Sequence, residues 1–142
     1  MHLHVIWIGK TKIPAAREWP ADYQRRVGRW ARLETTELSE RQGEAALLRR
    51  AAPGRLWLLD PVGEAWDSLE FSRRLERAFA QQDRTLYFGL GPAEGFSPAA
   101  RAGAAARISL SPMTFSHELA RVMLFEQIYR ALAILHHHPY PR

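Results

Sequence analysis

One stretch, Arg84 to Pro98 (RTLYFGLGPAEGFSP), limits the possible folds of this chain more than any other. Thr85-Leu86-Tyr87-Phe88 is an apolar run too short for a helix and of strand character. Gly89, Gly91 and Gly95 follow and permit sharp turns and close backbone approach. Ser97-Pro98 then supplies an N-cap and a first-turn proline, so a helix begins there with its unpaired N–H groups near the glycines. Strand, glycine loop and helix start predict an α/β fold with a ligand site at that junction. The same pattern also suits a tight turn that holds nothing, and the rest of the chain has to decide.

Read from its start, the chain repeats this alternation. Leu3 to Gly9 (LHVIWIG) predicts a first strand, and Pro14 opens a helix to about Trp30 that carries Arg17, Arg25, Arg26 and Arg29. Arg32 to Leu38 (RLETTEL) alternates as a half-buried edge strand does. Ser39 with Gln42 forms a capping box for a helix over Glu40 to Ala52, ended by Pro53-Gly54. Arg55 to Asp60 (RLWLLD) reads as a central parallel strand, followed by a loop from Pro61 to Glu64. Asp67 with Glu70 makes a second capping box for a helix to Gln81, and after the strand at Arg84 to Leu90 comes a short alanine-rich helix, Pro98 to Ala106. Arg107 to Pro112 predicts the last strand, and Ser116 or His117 starts a terminal helix over Glu118 to Leu135. Leu119, Val122, Met123, Phe125, Ile128, Leu132 and Ile134 cover more than one stripe of that helix. One sheet contact cannot bury them all, and another subunit is the expected second surface. The whole predicts one α/β domain over residues 1–142, a mostly parallel sheet of five or six strands with helices on both faces.

Composition narrows the function. No apolar stretch reaches transmembrane length, and MHLHVIWIGK runs directly into strand alternation, so no membrane association and a cytoplasmic location are expected. The absence of cysteine excludes disulfides, thiolate zinc sites and cysteine nucleophiles. A formal charge of +5, carried almost wholly by arginine with Lys10 and Lys12 the only lysines, attracts polyanions. A general arginine bias gives the same charge with no nucleic acid involved.

Ligands of parallel sheets bind beyond the carboxyl ends of the strands, and three such ends stand out: Leu58 to Gly63 (LLDPVG), Gly89 to Gly95, and Leu110 to Ser116 (LSPMTFS). Leu59, Leu90, Leu110 and Met113 on their own read as ordinary core before they read as the walls of a flat apolar slot. The segments LLDPVGEAWDS, GLGPAEGFSP, SLSPMTFSHELARVMLFEQIYRA and HPYPR, in this order over nearly the whole chain, resemble the RlmH family. These are S-adenosyl-L-methionine (SAM)-dependent rRNA pseudouridine N3-methyltransferases of the SPOUT class. The resemblance implies a trefoil-knotted fold with the knot in the C-terminal third, and a homodimer with its pocket at the interface. It also implies SAM as cofactor without a metal, and a pseudouridine of large-subunit (23S) rRNA in the ribosome as target. Carried over residue by residue, it implies SAM contacts at Leu59, Gly91, Leu110, Ser111, Pro112, Met113, Thr114, Phe115 and Ser116, with Gly95 shaping the middle loop. The chain departs from the family twice. Leu90-Gly91-Pro92 stands where the family reads Ile-Gly-Gly, and Pro141 replaces the second histidine of the ending His-Pro-Tyr-His-Arg. The second departure leaves open a related RNA-binding protein or methyltransferase with another RNA target.

For acceptor chemistry the candidates are His117, Glu118, Arg121, Arg130, His136, His137, His138, Tyr140 and Arg142. An imide nitrogen must lose its proton to be methylated, and a cation such as Arg142 favours the anion. Tyr140 suits stacking on the base, and His138 joins the two in positioning RNA. Arg121 and Glu126 read as a structural ion pair or an interface contact. Adjacent side chains diverge on a helix, which disfavours His136 to His138 as a metal site. Two other readings compete. A dinucleotide enzyme would use Gly89, Gly91 and Gly95, but the spacing is one residue too long and no acid ends a strand about twenty positions on. A non-catalytic RNA-binding module would leave three strand-end loops unused.

Overall fold

The computed structural model describes residues 1–81 and 84–140. The strands β1 (His2–Ile8), β2 (Arg32–Leu38), β3 (Arg55–Ala65), β4 (Leu86–Leu90) and β5 (Ala106–Ser109) form one sheet. Their order is β2-β1-β4-β3-β5, and every pair is parallel. They alternate with α1 (Ala15–Val27), α2 (Gly43–Ala51), α3 (Ser68–Gln81), α4 (Pro98–Gly103) and α5 (His117–Leu135).

The strand β4 is central and buried at every position. Its unbroken apolar run is what a parallel strand covered on both faces needs. Val5, Phe88 and Trp57 lie in one row across β1, β4 and β3. They belong to the core layer shared with α1, α3 and α5, together with Leu75, Phe125 and Leu132. Their chain neighbours Ile6 and Leu58 belong to the opposite layer with Leu47 of α2, Ala100 of α4 and Phe96 just before it. The period of two along each strand thus sorts the side chains into two cores.

The sheet lies under α5, which α1 and α3 flank. Val122, Leu124, Phe125, Ile128, Tyr129 and Leu132 are therefore buried within one chain. Leu119 and Ile134 stay exposed at 46% and 38%, and Met123 and Leu135 are half-buried. The several apolar stripes of α5 do not by themselves demand another subunit, because periodicity shows that a face is covered and not what covers it.

Other boundaries differ for local reasons. The loop expected at Pro61 to Glu64 is an excursion within β3: Ile108 of β5 pairs with both Leu59 and Glu64, and the residues between bulge outward. Gly63 there passes so close to β5 that an added Cβ would stand 2.6 Å from the Arg107 carbonyl oxygen. Both bonds of the first capping box form, Ser39 N–H to Gln42 Oε1 at 2.9 Å and Gln42 N–H to Ser39 Oγ at 3.1 Å. They close a turn ahead of α2, with Gly43 at φ +61° where the helix begins. In the second box Glu70 N–H donates to Asp67 Oδ1 at 2.7 Å, while the Glu70 carboxylate takes Arg74 Nε–H at 2.7 Å instead of reaching back. Ending at Ser109, β5 releases Leu110 to Pro112 into the loop before α5. No helix among the described residues is long and apolar enough to cross a membrane.

Candidate functional site

The start of the β3 excursion and the carboxyl ends of β4 and β5 meet at one hollow of about 180 Å³. From β3 come Leu59, Asp60 and Pro61; from the end of β4 and the loop before α4, Leu90, Gly91, Pro92, Gly95 and Phe96. Leu110, Ser111, Met113, Thr114 and Phe115 of the β5–α5 loop supply the third wall, and His117 and Ala120 of α5 close it. Of the SAM contacts implied for the last segment, Pro112 and Ser116 stand outside the lining. Ser116 is instead the N-cap of α5, its Oγ accepting from Leu119 N–H at 3.3 Å. Met113, 73% exposed, stands at the rim and not in a slot.

Two of the three glycines of the pattern shape the middle loop, each in its own way. Gly89 lies within β4, and of the three only Gly95 takes a left-handed φ, +82°. It ends a turn closed by its N–H on the Pro92 carbonyl at 2.9 Å, so Pro92, which lacks an N–H, gives only its acceptor. Gly91 is small for another reason: a Cβ there would meet the Phe96 ring at 2.9 Å.

Asp60 is a site residue that the glycine pattern does not point to; its one local signal is an acid closing an apolar run just before a proline. Its side chain is 1% exposed; Oδ1 accepts from Val62 N–H at 3.1 Å, and Oδ2 stands 2.9 Å from Arg101 Nε and 4.0 Å from Arg107 Nη1. The Arg101 contact lacks hydrogen-bond alignment, so it holds by charge. One carboxylate thus ties the β3 excursion, α4 and β5 together at the edge of the hollow.

The first turns of α5 also hold the loop between β1 and α1. Glu118 Oε1 accepts from Lys12 N–H at 2.8 Å and Ile13 N–H at 2.9 Å, and these bonds, Ile13's foremost, hold its carboxyl below the usual range. Arg121, 3% exposed, donates to Thr11 Oγ1 at 2.8 Å and to the Gly9 carbonyl at 3.1 Å, with its guanidinium over the Trp7 ring. Burial pushes its pKa down, against the opposing pull of Glu118 and Glu37. The expected Arg121–Glu126 pair is absent because the two face different neighbours.

Glu126 pairs with Arg130 at 2.8 Å and accepts a hydrogen bond from the Tyr140 hydroxyl at 3.0 Å. Tyr23 bonds the same hydroxyl at 3.1 Å, and the Tyr140 ring meets Tyr129 edge-on at 4.7 Å. Burial and the bonds to Tyr23 and Glu126 raise the Tyr140 pKa well above its ordinary value. The tail is turned back by a Schellman motif: His137 at φ +54°, His138 N–H on Ala133 O at 2.8 Å, and His137 N–H on Ile134 O at 3.2 Å. His136 stacks on Trp30 at 5.2 Å and His138 meets it edge-on at 5.4 Å. Among the described residues no three histidines or acids come together as a metal site. Neither Tyr140 nor His138 lines the hollow of its own chain, and Arg142 lies outside the described residues.

Sequence comparison agrees with this architecture over its full length. The family model described as "Predicted SPOUT methyltransferase" matches residues 1–141. The protein named ribosomal RNA large subunit methyltransferase H of Geobacter sp. (strain M21) is 40% identical, with 99% of this chain and 98% of that protein covered. Its namesake of Solibacter usitatus (strain Ellin6076) is 39% identical with both chains covered completely, and that of Geobacter sulfurreducens is 38% identical over 99% of each. With an all-parallel sheet whose strand ends meet at one hollow and a family match from end to end, this chain belongs to the SPOUT methyltransferase family.

Proposed function

We propose that the chain, as one domain over residues 1–142, transfers the methyl group of SAM to N3 of a pseudouridine in large-subunit rRNA, working as a homodimer on ribosomes in the cytoplasm. The observation that carries this reading is the meeting of three strand-end segments at one hollow, in a chain similar throughout to proteins named as large-subunit rRNA methyltransferases. The residues present fit the cofactor. Leu59, Leu90, Ile108 and Leu110 offer apolar walls for a flat heterocycle, and the Ser111 and Thr114 hydroxyls offer polar partners. When bound, SAM supplies an electrophilic methyl group on a sulfonium. The work left to this chain is to hold donor and acceptor in line, which accounts for much of such a rate.

Two features support the dimer. The hollow, about 180 Å³, is smaller than the roughly 300–1,000 Å³ of small-molecule sites, and the segments around it expose Val62 (72%), Met113 (73%) and Leu119 (46%). A second copy seated there would cover the apolar rim and complete the walls. The tail of that copy would bring its own Tyr140 and Arg142 to the acceptor. Tyr140 stays protonated and places the base, His138 contacts RNA, and Arg142 favours the N3 anion. The reading includes the trefoil threading of the family, with which the close passage of Gly63 beside β5 is compatible.

Mass mapping of rRNA from cells with and without the gene tests the function. One methylated pseudouridine of the large subunit should disappear with the gene, and identical maps would refute the assignment. Calorimetry should show SAM binding to the isolated protein without RNA or metal.

A further inference from the structure

The loop between β1 and α1, residues 9–14 (GKTKIP), has the composition of a mobile surface segment, yet it is fixed from two sides. From α5, Glu118 takes the Lys12 and Ile13 N–H groups, and Arg121 holds the Gly9 carbonyl and the Thr11 hydroxyl. From the end of β2, Glu37 Oε1 accepts Thr11 N–H at 3.1 Å and Thr11 Oγ–H at 2.5 Å. The acids beside the loop thus turn an oxygen inward onto it, and the lysine side chains stand outward, exposed.

These are the only lysines of the chain. Many of the arginines are engaged: Arg25 and Arg26 with Asp22, Arg32 with Glu34, Arg73 and Arg74 with Glu70, Arg101 with Asp60, Arg130 with Glu126. Neither Lys10, Lys12 nor Arg17 enters an ion pair among the described residues. Glu118 draws the Lys12 ammonium by charge and Arg17 of α1 donates to the Thr11 carbonyl at 3.4 Å, yet exposed ammonium groups on a pre-ordered loop bind a polyanion without first losing the loop's conformational entropy. The location is set by α5, where His117 lines the hollow and Glu118, the next residue, holds Lys12.

We infer that this clamped loop is a phosphate-contact surface for the RNA substrate beside the methyl-donor hollow, with Lys10 and Lys12 as the contacts and Glu118 and Arg121 as positioning residues. The inference rests on the reading of the substrate as RNA given above. An ammonium group is a compact charge with rotatable donors, so the loop orients the RNA backbone and leaves the reading of the base to other groups.

The test measures binding of large-subunit rRNA against salt concentration for wild type, K10A/K12A, E118A, and a control, R49A/R50A, on α2 in the opposite layer. SAM calorimetry and sedimentation of each variant check the fold and the association state. Losing two phosphate contacts should lower the slope of log K against log salt by about 1.4–1.8, which is roughly 25- to 60-fold in affinity at 0.1 M salt relative to 1 M. SAM affinity should not change. E118A should weaken rRNA binding several-fold at an unchanged slope, because both charges remain and only their placement is lost. Wild-type slope and affinity in K10A/K12A would overturn the inference. An equal loss in R49A/R50A, or altered self-association in K10A/K12A, would also overturn it. Unchanged binding in E118A would remove the positioning role. Failure of wild type itself to bind rRNA would instead refute the substrate reading.

Discussion

Replacing Gly91 by alanine adds one methyl group at the narrowest point of the middle loop. Gly91 does not use a left-handed φ, so the backbone accepts alanine and the effect is purely steric. The new Cβ would stand 2.9 Å from two atoms of the Phe96 ring and 3.1 Å from a third. Carbon atoms rest at about 3.5–4.0 Å, so the ring must retreat by roughly 0.6 Å or more. Phe96 is 6% exposed and lies in the core layer that holds Leu47, Leu58 and Ala100, which leaves little space for that movement. Overpacking of this kind costs about 1–3 kcal/mol. Because Phe96 also lines the hollow, the cost divides between the fold and ligand affinity; if it fell wholly on affinity, SAM would bind roughly 5- to 150-fold more weakly. Calorimetric titration with SAM and S-adenosylhomocysteine, beside urea denaturation, measures both parts. F96L gives the methyl group room, so G91A/F96L should recover about 1–2 kcal/mol relative to the sum of the single changes. Wild-type affinity and stability in G91A, or strict additivity in the double variant, would refute the packing account.

Two further outcomes follow from the charges around the hollow. D60N leaves Arg101 and Arg107 without their counter-charge and should cost roughly 1–3 kcal/mol, less than a fully buried pair because Arg101 is 34% exposed; an unchanged urea midpoint would refute this. The Glu118 carboxyl is held below its ordinary 4.5, so its grip on the loop is complete above that value and lost as pH falls through the depressed one. The amide shifts of Lys12 and Ile13 should therefore hold steady from neutral pH down to about 4.5 and move only below it, and a midpoint at or above 4.5 would contradict the hydrogen-bond assignment.

Much of the architecture was legible in the sequence because each element carries its own period. The edge strand Arg32–Leu38 alternates, β4 is apolar throughout, and Ser97-Pro98 and Ser116 cap the helices that follow them. What failed depended on competing or distant partners. Local apolar content marks RLWLLD as a strand, but only pairing with β5 carries β3 on to Ala65. Glu70 satisfies a capping pattern, yet Arg74 one turn along wins its carboxylate. In the site, backbone loops at strand ends could be found from glycine, proline and serine. The acid of RLWLLD marks Asp60, but its partner Arg101 stands forty-one positions away and no local pattern names it. Tyr140 reads as a stacking residue for the base, although it places its ring against Tyr129 and its hydroxyl on Glu126.

The geometry of α5 bears directly on whether the site is shared between two copies. Ala120 lines the hollow, and Tyr129, nine residues later, carries the Tyr140 ring; at 1.5 Å per residue they stand about 14 Å apart along the axis. The helix contains neither proline nor glycine, so nothing in its sequence bends the two ends together. In the proposed dimer a tail that positions the acceptor serves the hollow of a second copy, and this arrangement can be separated from one within a single chain by complementation. One parent lacks Tyr140 to Arg142 and keeps a good hollow; the other, G91V, keeps its tail and has a crowded hollow. Each alone should transfer little methyl to ribosomes. After subunit exchange, about half the dimers are mixed and each mixed dimer holds one intact hollow facing one intact tail, so about a quarter of wild-type activity should return. Equal concentrations of the parents mixed without exchange give the baseline. If exchange is verified by mass and activity stays at that baseline, hollow and tail act within one chain and the shared site is wrong.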